Sequence, residues 1–215
     1  MNKIIIFGAG SGGKEILRMI INDINNYSPT WDVVAFIDKN TQSNKRYIDG
    51  IPILDSTDKF NGEKLYGACS NMDNKLRKNI IEKEIEGNGI TLTSLIHPSA
   101  KLYEKPPSDS GCIIFPGVKI GYNVELGKGV VISYNNLIGH DISIGDFSFI
   151  GPSCSVCARS RIGNNVTLGV GANLIPDSII GNNSIVGAGT TILSKVNDNT
   201  SVISLSKNFS TKVKD

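Results

Sequence analysis

The stretch Leu137–Pro152, LIGHDISIGDFSFIGP, repeats the pair Ile-Gly every six residues. The same period holds far beyond this stretch. From Ile114 to Ile192, fourteen consecutive positions spaced by six carry Ile, Leu or Val, and the following residue is Gly in nine of these fourteen hexads. The position four residues after each aliphatic residue is mostly Val, Ser, Thr, Ala or Cys. A period this regular restricts the local structure to very few possibilities.

The six-residue period excludes a helix, because 3.6 residues per turn would spread the aliphatic side chains over all of its faces. Short strands that turn every six residues place one aliphatic and one small side chain inward, and they bury a continuous core by stacking. The sequence therefore predicts a left-handed parallel β-helix of hexapeptide repeats over residues 96–200, followed by a C-terminal tail over 201–215. Lys105–Ser110 (KPPSDS) breaks the period and is expected to form a loop.

Residues 1–95 show alternating strand and helix patterns instead. Strands are predicted at Lys3–Phe7, Asp32–Ile37, Lys64–Cys69 and Ile90–Ile96, and helices at Lys14–Ile24 and Asn71–Glu86. This alternation is typical of a parallel sheet with helices on its faces. We therefore expect a small Rossmann-like βαβ domain, which makes the chain α/β plus β.

Composition narrows the classes of partner and location. The net charge is +2 and no long Lys/Arg cluster is present, which argues against nucleic-acid binding. The apolar run after Lys3 is far too short for a signal sequence or a membrane span, so a cytoplasmic protein without a membrane partner is expected. The four cysteines are then expected to be reduced thiols.

A glycine-rich loop, GAGSGG, follows the first predicted strand. It fits the pattern G-x-G-x-x-G at Gly8, Gly10 and Gly13, and Asp38 ends the next strand. Such a loop offers backbone N–H groups and a helix N-terminus to a diphosphate, and the carboxylate can bind a ribose. The α/β part is long enough for about one mononucleotide-binding half, which favours a nucleoside diphosphate ligand such as a nucleotide sugar over NAD. A tight turn that binds nothing is the alternative.

The cysteine and histidine positions limit the chemistry further. Cys154 and Cys157 occupy small-residue positions of the repeat and lack a second pair, so they are expected to pack and not to bind metal. With only two histidines, the chain cannot supply a three-histidine zinc site. His97 lies in the segment IHPSA where the coil should begin, and it is expected to pack there. His140 precedes Asp141 near a corner of the coil, where a catalytic pair and a merely exposed polar turn are both compatible with the register.

These features together resemble one known family. The GAGSGG loop, the AFID strand end, the IHPSA junction and the box IGHDxxIGDF are similar to the hexapeptide-repeat nucleotide-sugar N-acetyltransferases of bacterial glycan synthesis, the PglD/NeuD-like sugar acyltransferases. The resemblance covers nearly the whole chain. It implies transfer of an acetyl group from acetyl-CoA to the 4-amino group of a nucleotide-linked 4-amino-4,6-dideoxyhexose. It also implies a homotrimer with active sites between neighbouring coils, and no metal.

The resemblance also implies roles for individual residues. His140 is implied as the general base and Asp141 as its acidic neighbour. The residues implied to bind the nucleotide sugar are Gly8, Gly10, Ser11, Gly12, Gly13, Asp38, Lys39 and Ser133. The residues implied to contact acetyl-CoA are Phe149, Ala158, Gly187 and Ala188, with the Ala158 N–H receiving the thioester carbonyl.

The chain departs from the family pattern at four places. Phe149 replaces a second histidine, Ser133 replaces an asparagine, and the loop Gly10–Gly13 replaces G-G-H-G. Near the C-terminus, Ser204–Lys207 replaces the CoA-contacting turn G-x-P-A-K. Two alternatives therefore stay open: O-acetylation of a sugar such as a sialic acid, and a catalytically inactive β-helix that binds a nucleotide sugar.

Aromatic residues on the predicted coil give a separate reason to expect a trimer. Phe115, Phe147 and Phe149 occupy outward positions of the repeat. A solenoid on its own would expose them, and contiguous exposed apolar area usually marks an interface.

Overall fold

The computed structural model describes residues 1–28, 30–39 and 46–204. Its N-terminal part contains a six-stranded sheet in the order β3-β4-β2-β1-β5-β6. The strands are β1 (Asn2–Phe7), β2 (Trp31–Ile37), β3 (Tyr47–Ile48), β4 (Ile51–Leu54), β5 (Tyr66–Cys69) and β6 (Thr91–Leu92). β1 pairs in parallel with β2 and β5, and its residues Ile4–Ile6 are fully buried. The continuous aliphatic run of β1 therefore belongs to a central strand covered on both faces.

Helices cover this sheet. α1 (Ser11–Arg18) continues through a π-helical segment, Met19–Ile24, into α2 (Asn25–Tyr27). α3 (Asn74–Asn79) continues as the π-helical segment Ile80–Ile85 and the 3-10 turn Glu86–Asn88, and a second 3-10 turn spans Asp58–Phe60. The prediction that a helix begins at Asn71 was wrong by three residues. Asp73 sets the start, because its carboxylate accepts a hydrogen bond of 2.8 Å from the Leu76 N–H.

The strand predictions were wrong in two places. One pair of strands was not predicted, and two other strands were predicted as a single one. β3 and β4 form an antiparallel pair at the sheet edge, where each strand is too short to show a clear period. The predicted strand Ile90–Ile96 is two strands, β6 and β7 (Leu95–Ile96). β6 pairs with β5 of the α/β sheet, whereas β7 pairs with the coil, so the chain crosses from one part to the other between them.

The coil consists of two- and three-residue strands in three parallel sheets. The first coil sheet contains β8 (Lys101–Leu102), β10 (Lys119–Ile120), β13 (Leu137–Ile138), β16 (Ser155–Val156), β19 (Asn173–Leu174) and β22 (Thr191–Ile192). The second contains β11 (Val124–Leu126), β14 (Ile142–Ile144), β17 (Arg161–Ile162) and β20 (Ile179–Ile180). The third contains β7, β9 (Ile113–Ile114), β12 (Val131–Ile132), β15 (Phe149–Ile150), β18 (Thr167–Leu168), β21 (Ile185–Val186) and β23 (Ser201–Val202).

The strand register confirms the predicted parallel β-helix. Leu137 pairs with Ser155, and Ile138 with Val156, so three hexads make one turn of the coil. The aliphatic residues of the hexads form one continuous buried cluster along the axis. The interruption at Lys105–Ser110 is confirmed as a loop between β8 and β9. β23 pairs with β21, so strand pairing extends beyond residue 200, where the tail was predicted to begin.

The turn between the first and second coil sheets, here called the first corner, carries residues in the left-handed region. Asn123, Asp141, Arg159 and Asp177 recur every eighteen residues and have φ of 54°, 58°, 59° and 63°. Asn and Asp adopt this conformation more readily than other residues with a side chain. Because the register is fixed, these four residues lie one above another along the coil.

The α/β part covers the outer surface of the third coil sheet. Ile113, Phe115 and Val131 are buried in one cluster with β1 and α1, and Phe147 is buried against Ile81 and its neighbours. The prediction that the phenylalanines Phe115, Phe147 and Phe149 are exposed was therefore wrong. The chain's own N-terminal part buries the first two and covers Phe149 in part, so they give no support to a trimer.

Arg77 joins the two parts of the chain. Its side chain is fully buried and donates hydrogen bonds to the carbonyl oxygens of Gly129 (2.8 Å) and Phe147 (2.7 Å) on the coil. Burial lowers the pKa of Arg77 to about 10. Asn74, on the same helix, donates to the Val166 carbonyl at 3.1 Å. These bonds satisfy coil carbonyls that the α/β part shields from water.

We expect Arg77→Met to destabilise the protein, because buried carbonyl oxygens lose their donors at about 1–3 kcal/mol each. Denaturant unfolding should show a loss of about 3 kcal/mol or more. Lys83→Met, an exposed change on the adjoining π-helical segment, is the control and should change stability by at most about 0.5 kcal/mol. Equal stability of the two variants would contradict the account of Arg77.

Candidate active site

His140 lies in the turn between β13 and β14, on the first corner. Its Nδ1 is 2.7 Å from Oδ2 of Asp141. The turn is held on both sides by the coil, since Gly139 N–H donates to the Val156 carbonyl at 2.8 Å and Asp141 N–H donates to the Tyr122 carbonyl at 3.0 Å. The structure therefore brings together the two residues predicted as catalytic, on a rigid backbone.

The contact between these side chains defines the tautomer of His140. An ionised carboxylate only accepts hydrogen bonds, so Nδ1 carries the proton and Nε2 keeps its lone pair. Two hydrogen bonds hold the pKa of Asp141 below its usual range. The larger effect comes from the Asn123 side chain and the smaller one from His140. Asp141 is therefore ionised at neutral pH. More than half of the His140 side-chain surface is exposed, which leaves the ring accessible to a reactant.

A largely apolar groove begins at His140 and extends along the first coil sheet toward the earlier turns of the coil. Its volume is about 570 Å³. Exposed side chains of Tyr103, Tyr122 and Leu137 line it, together with Lys101 and Lys119. The sequence analysis did not identify these residues, because the hexad pattern gives the inward positions and says little about which outward ones meet.

The glycine loop forms the second group of predicted residues. Gly8, with φ of 106°, follows β1, and α1 begins at Ser11. The Ala9 N–H donates to Oδ2 of Asp38 at 2.8 Å, which brings the end of β2 to the loop. A Cβ on Gly13 would lie 2.1 Å from the Gly8 carbonyl oxygen, so this position requires glycine.

Lys39 and Ser133 are the two further residues predicted to bind the nucleotide sugar. Lys39 is 3.3 Å from Glu84 in an ion pair. Ser133 is buried at the end of β12, and its neighbour Tyr134 donates a hydrogen bond to Glu15 of α1. Burial and the Glu15 carboxylate raise the pKa of Tyr134, which keeps this hydroxyl protonated. The coil thus contacts the helix that follows the glycine loop.

The residues predicted to contact acetyl-CoA fall into two places. Ala158 lies one coil turn after His140, and a Cβ on Gly139 would be 3.0 Å from the Ala158 nitrogen. Among the described residues, the Ala158 N–H has no backbone acceptor. Gly187 and Ala188 follow β21, at the corner between the third and first coil sheets. They are therefore separated from His140 within one chain.

Phe149 and the C-terminal turn also bear on the acetyl-CoA prediction. Phe149 is half-buried in the cluster between the coil and the α/β sheet, so only part of its ring can meet a ligand. Of the predicted departure at Ser204–Lys207, only Ser204 lies within the described residues.

His97 lies at the start of the coil, as predicted, and has a structural environment. Its Nδ1 accepts a hydrogen bond of 3.0 Å from the Ser99 N–H, and its Nε2 lies 3.3 Å from Asp23. Both ring nitrogens of His97 are therefore engaged at the junction.

No group of three or more His, Cys, Asp or Glu side chains in the described part of the chain could hold a metal ion. No helix within residues 1–28, 30–39 and 46–204 is long and apolar enough to cross a bilayer. The cytoplasmic location stays a prediction.

Comparison with known proteins gives two family matches and a relative of known name. Residues 159–194 match the family model "Bacterial transferase hexapeptide (six repeats)", and residues 1–91 match "C2185-like, N-terminal". A curated relative, GDP-perosamine N-acetyltransferase of Escherichia coli O157:H7, is 29% identical over 131 residues. That match spans 60% of this chain and 58% of the relative, which is less than two thirds of the relative's length.

Two groups of solved structures share the fold along nearly the whole chain. A histidine-to-asparagine variant of perosamine N-acetyltransferase from Caulobacter crescentus, in complex with CoA and GDP-perosamine, is 25% identical, with a TM-score of 0.78 over 95% of this chain and 94% of that one. The acetyltransferase domain of PglB from Neisseria gonorrhoeae, in complex with acetyl coenzyme A, is 23% identical, with a TM-score of 0.81 over 95% and 97%. The latter likeness shows the fold alone.

These matches confirm the resemblance to the hexapeptide-repeat nucleotide-sugar N-acetyltransferases. They also confirm the predicted fold, an α/β part followed by a parallel β-helix. The individual site residues stay predictions.

The glycine loop gives a matched pair of variants. Gly13→Ala forces a Cβ onto the Gly8 carbonyl oxygen and should cost about 2 kcal/mol of unfolding free energy. A Cβ at position 10 would have no atom within 4 Å, and the φ of −73° at this position suits alanine. The Gly10→Ala variant should therefore be about as stable as the parent protein. Thermal unfolding of both variants measures this difference, and an equal loss in both would show that the loop does not require glycine at position 13.

Proposed function

We propose that this protein transfers the acetyl group of acetyl-CoA to the 4-amino group of a nucleotide-linked 4-amino-4,6-dideoxyhexose. The observation that carries the proposal is the His140–Asp141 pair: the carboxylate holds the proton on Nδ1 and leaves the lone pair on Nε2, in a ring that lines the groove. The solved relative from Caulobacter crescentus, which binds CoA and GDP-perosamine, supports the class of both substrates. Solved forms of that relative carry a histidine replaced by asparagine or by alanine.

The proposed reaction proceeds in two proton-coupled steps. The sugar amine attacks the thioester carbon, and His140 Nε2 accepts the proton that the nitrogen loses as the C–N bond forms. Asp141 stabilises the resulting imidazolium. The Ala158 N–H donates to the developing oxyanion. When the tetrahedral intermediate collapses, the C–S bond breaks and His140 returns a proton to the CoA sulfur.

Cys69, Cys112 and Cys154 are buried, whereas Cys157 is exposed, so the prediction that Cys157 packs in the coil was wrong. The three buried cysteines give no reason to invoke a covalent acetyl-enzyme. Burial raises the pKa of Cys69 to about 11 and also raises the pKa values of Cys112 and Cys154. A thiol must ionise to act as a nucleophile, so these three are inert at neutral pH. Direct attack by the sugar amine is the simpler route.

We assign the nucleotide part of the acceptor to the glycine loop. The loop Gly8–Gly13, which includes Ser11 and Gly12, can offer backbone N–H groups and the α1 N-terminus to the diphosphate. Asp38 and Lys39, at the end of β2, are proposed to lie beside the nucleoside, and Ser133 beside the sugar. Tyr134 supports this placement, because its bond to Glu15 holds the coil against the helix that starts in the loop.

We further propose that the active site is shared in a homotrimer. Gly187 and Ala188 lie at a different corner from His140, so one chain does not gather all the residues predicted to contact acetyl-CoA. The first corner also exposes apolar side chains on four of its turns, two before and two after the turn of His140, which a neighbouring coil would cover. They are Tyr103, Tyr122, Ile175 and Leu193. Exposed apolar area of this kind usually marks an interface.

Thiol release from acetyl-CoA tests the activity directly, with GDP-, UDP- and dTDP-linked 4-amino-4,6-dideoxyhexoses as acceptors. We expect turnover with at least one of these sugars and a fall of about 10²–10⁴ in kcat for His140→Ala, because the base is lost. His97→Gln, a change at the other histidine, is the control and should retain activity.

Three outcomes would contradict the proposal. Turnover only with a sugar hydroxyl would indicate an O-acetyltransferase. Binding of a nucleotide sugar without turnover would indicate an inactive binding protein. Full activity of His140→Ala would remove His140 from the reaction.

Light scattering at micromolar concentration tests the shared site. We expect a mass about three times that of the 23.1 kDa chain. Leu193→Lys, which places a charge among the exposed apolar side chains of the first corner, away from the His140 turn, should shift the protein toward monomer and lower activity with it. A monomeric parent protein with full activity would contradict the shared site.

A further inference from the structure

Asn123 lies one coil turn before the proposed acid–base pair, on the same corner. Its side-chain Nδ2 donates to Oδ1 of Asp141 at 2.7 Å. Its backbone has φ of 54°, the left-handed conformation shared by Asp141. The eighteen-residue register places these two side chains next to each other, as it does for Arg159 and Asp177 further along the corner.

The two oxygens of the Asp141 carboxylate have different partners. Oδ1 accepts from Asn123, whereas Oδ2 accepts from His140. Two hydrogen bonds at opposite oxygens fix the plane of the carboxylate, since rotation would break both. With 42% of its surface exposed, the Asp141 side chain has no packed wall that would otherwise hold it.

Charged groups on neighbouring turns surround this carboxylate. Arg159 lies one turn after Asp141 and attracts it, and Glu125 and Arg161 line the same polar groove on the second coil sheet. Arg159 is itself held by Asp177, with Nε–Oδ1 of 2.7 Å and Nη2–Oδ2 of 2.9 Å. This bidentate pair occupies the guanidinium, so Asn123 and His140 remain the hydrogen-bond donors to Asp141 among the described residues.

We infer that Asn123 is a positioning residue, which holds Asp141 so that the carboxylate selects the Nδ1–H tautomer of His140. Without Asn123, the carboxylate can turn into water, and the His140 ring is then free to place its proton on Nε2. That tautomer presents no lone pair at the groove. The catalytic consequence rests on the function proposed above, whereas the effect on the tautomer follows from the contacts alone.

Two variants separate the side chain from the backbone conformation. Asn123→Gly keeps the left-handed φ and removes the donor, and Asn123→Asp keeps the size but places a second carboxylate opposite Asp141. Asn165→Gly is the matched control. Asn165 has φ of 57° and donates to Asn183 at 2.9 Å one turn further on, but it lies at the corner between the second and third coil sheets.

Two readouts are needed, acetyl-transfer kinetics and the ¹⁵N NMR shifts of the neutral imidazole. With two histidines in the chain, the loss of one signal in His140→Ala assigns the His140 ring. We expect both Asn123 variants to lower kcat roughly 10- to 100-fold with KM changed less than about twofold, because orientation and not binding is lost. The ¹⁵N shifts should move from the Nδ1–H toward the Nε2–H tautomer in these variants and stay unchanged in Asn165→Gly.

The outcomes distinguish this inference from the proposed function. A parent-like tautomer in both Asn123 variants overturns the inference, whatever happens to kcat. A shifted tautomer with parent-like kcat also overturns the positioning role. If the parent protein transfers no acetyl group to any sugar, the proposed function fails, and the NMR shifts alone decide whether Asn123 orients the pair.

Discussion

The structure depends on the eighteen-residue register of the coil. Each hexad turns one aliphatic side chain inward, and three hexads bring the chain back above its starting point. Parallel pairing of two-residue strands then places residues that are eighteen apart next to each other. This constraint joins Asn123 to Asp141 and sets Ala158 beside the turn of His140. An exposed pair on a flexible loop would lack this fixed geometry, which an acid–base site requires.

The α/β part packs against the coil and forms hydrogen bonds with it. On the first turns of the third coil sheet, the outward residues Leu95, Ile113 and Val131 are apolar and pack in one cluster with β1 and α1. Arg77 and Asn74 add hydrogen bonds to coil carbonyls, so the two parts have a fixed relation at that surface. The same arrangement brings α1, and with it the glycine loop, against Tyr134 of the coil. A ligand bound at the loop would therefore lie beside the coil, which suits an acceptor with a nucleotide end and a reactive sugar end.

The sequence predicts the coil well and its surroundings poorly, for physical reasons. A six-residue period reports which side chains face inward, so the strands, the turn at His140 and its contact with Asp141 could all be expected. The period does not report what covers an outward residue, and Phe115 and Phe147 were therefore assigned to the wrong interface. The edge strands β3 and β4 are too short to show a pattern. Asn123 was not predicted as a site residue. The sequence did contain the information, because Asn123 precedes Asp141 by eighteen residues and so takes the same place in the preceding turn of the coil.

The central claim is that His140 Nε2 accepts the proton of the sugar amine. A crystal structure of the protein with CoA and a nucleotide-linked 4-amino-4,6-dideoxyhexose tests it most directly. We expect the sugar nitrogen to lie about 3 Å from Nε2 of His140, with Nδ1 still bonded to Asp141 and the diphosphate at the Gly8–Gly13 loop. A sugar nitrogen bound beyond hydrogen-bond reach of His140, with CoA in place, would contradict the account.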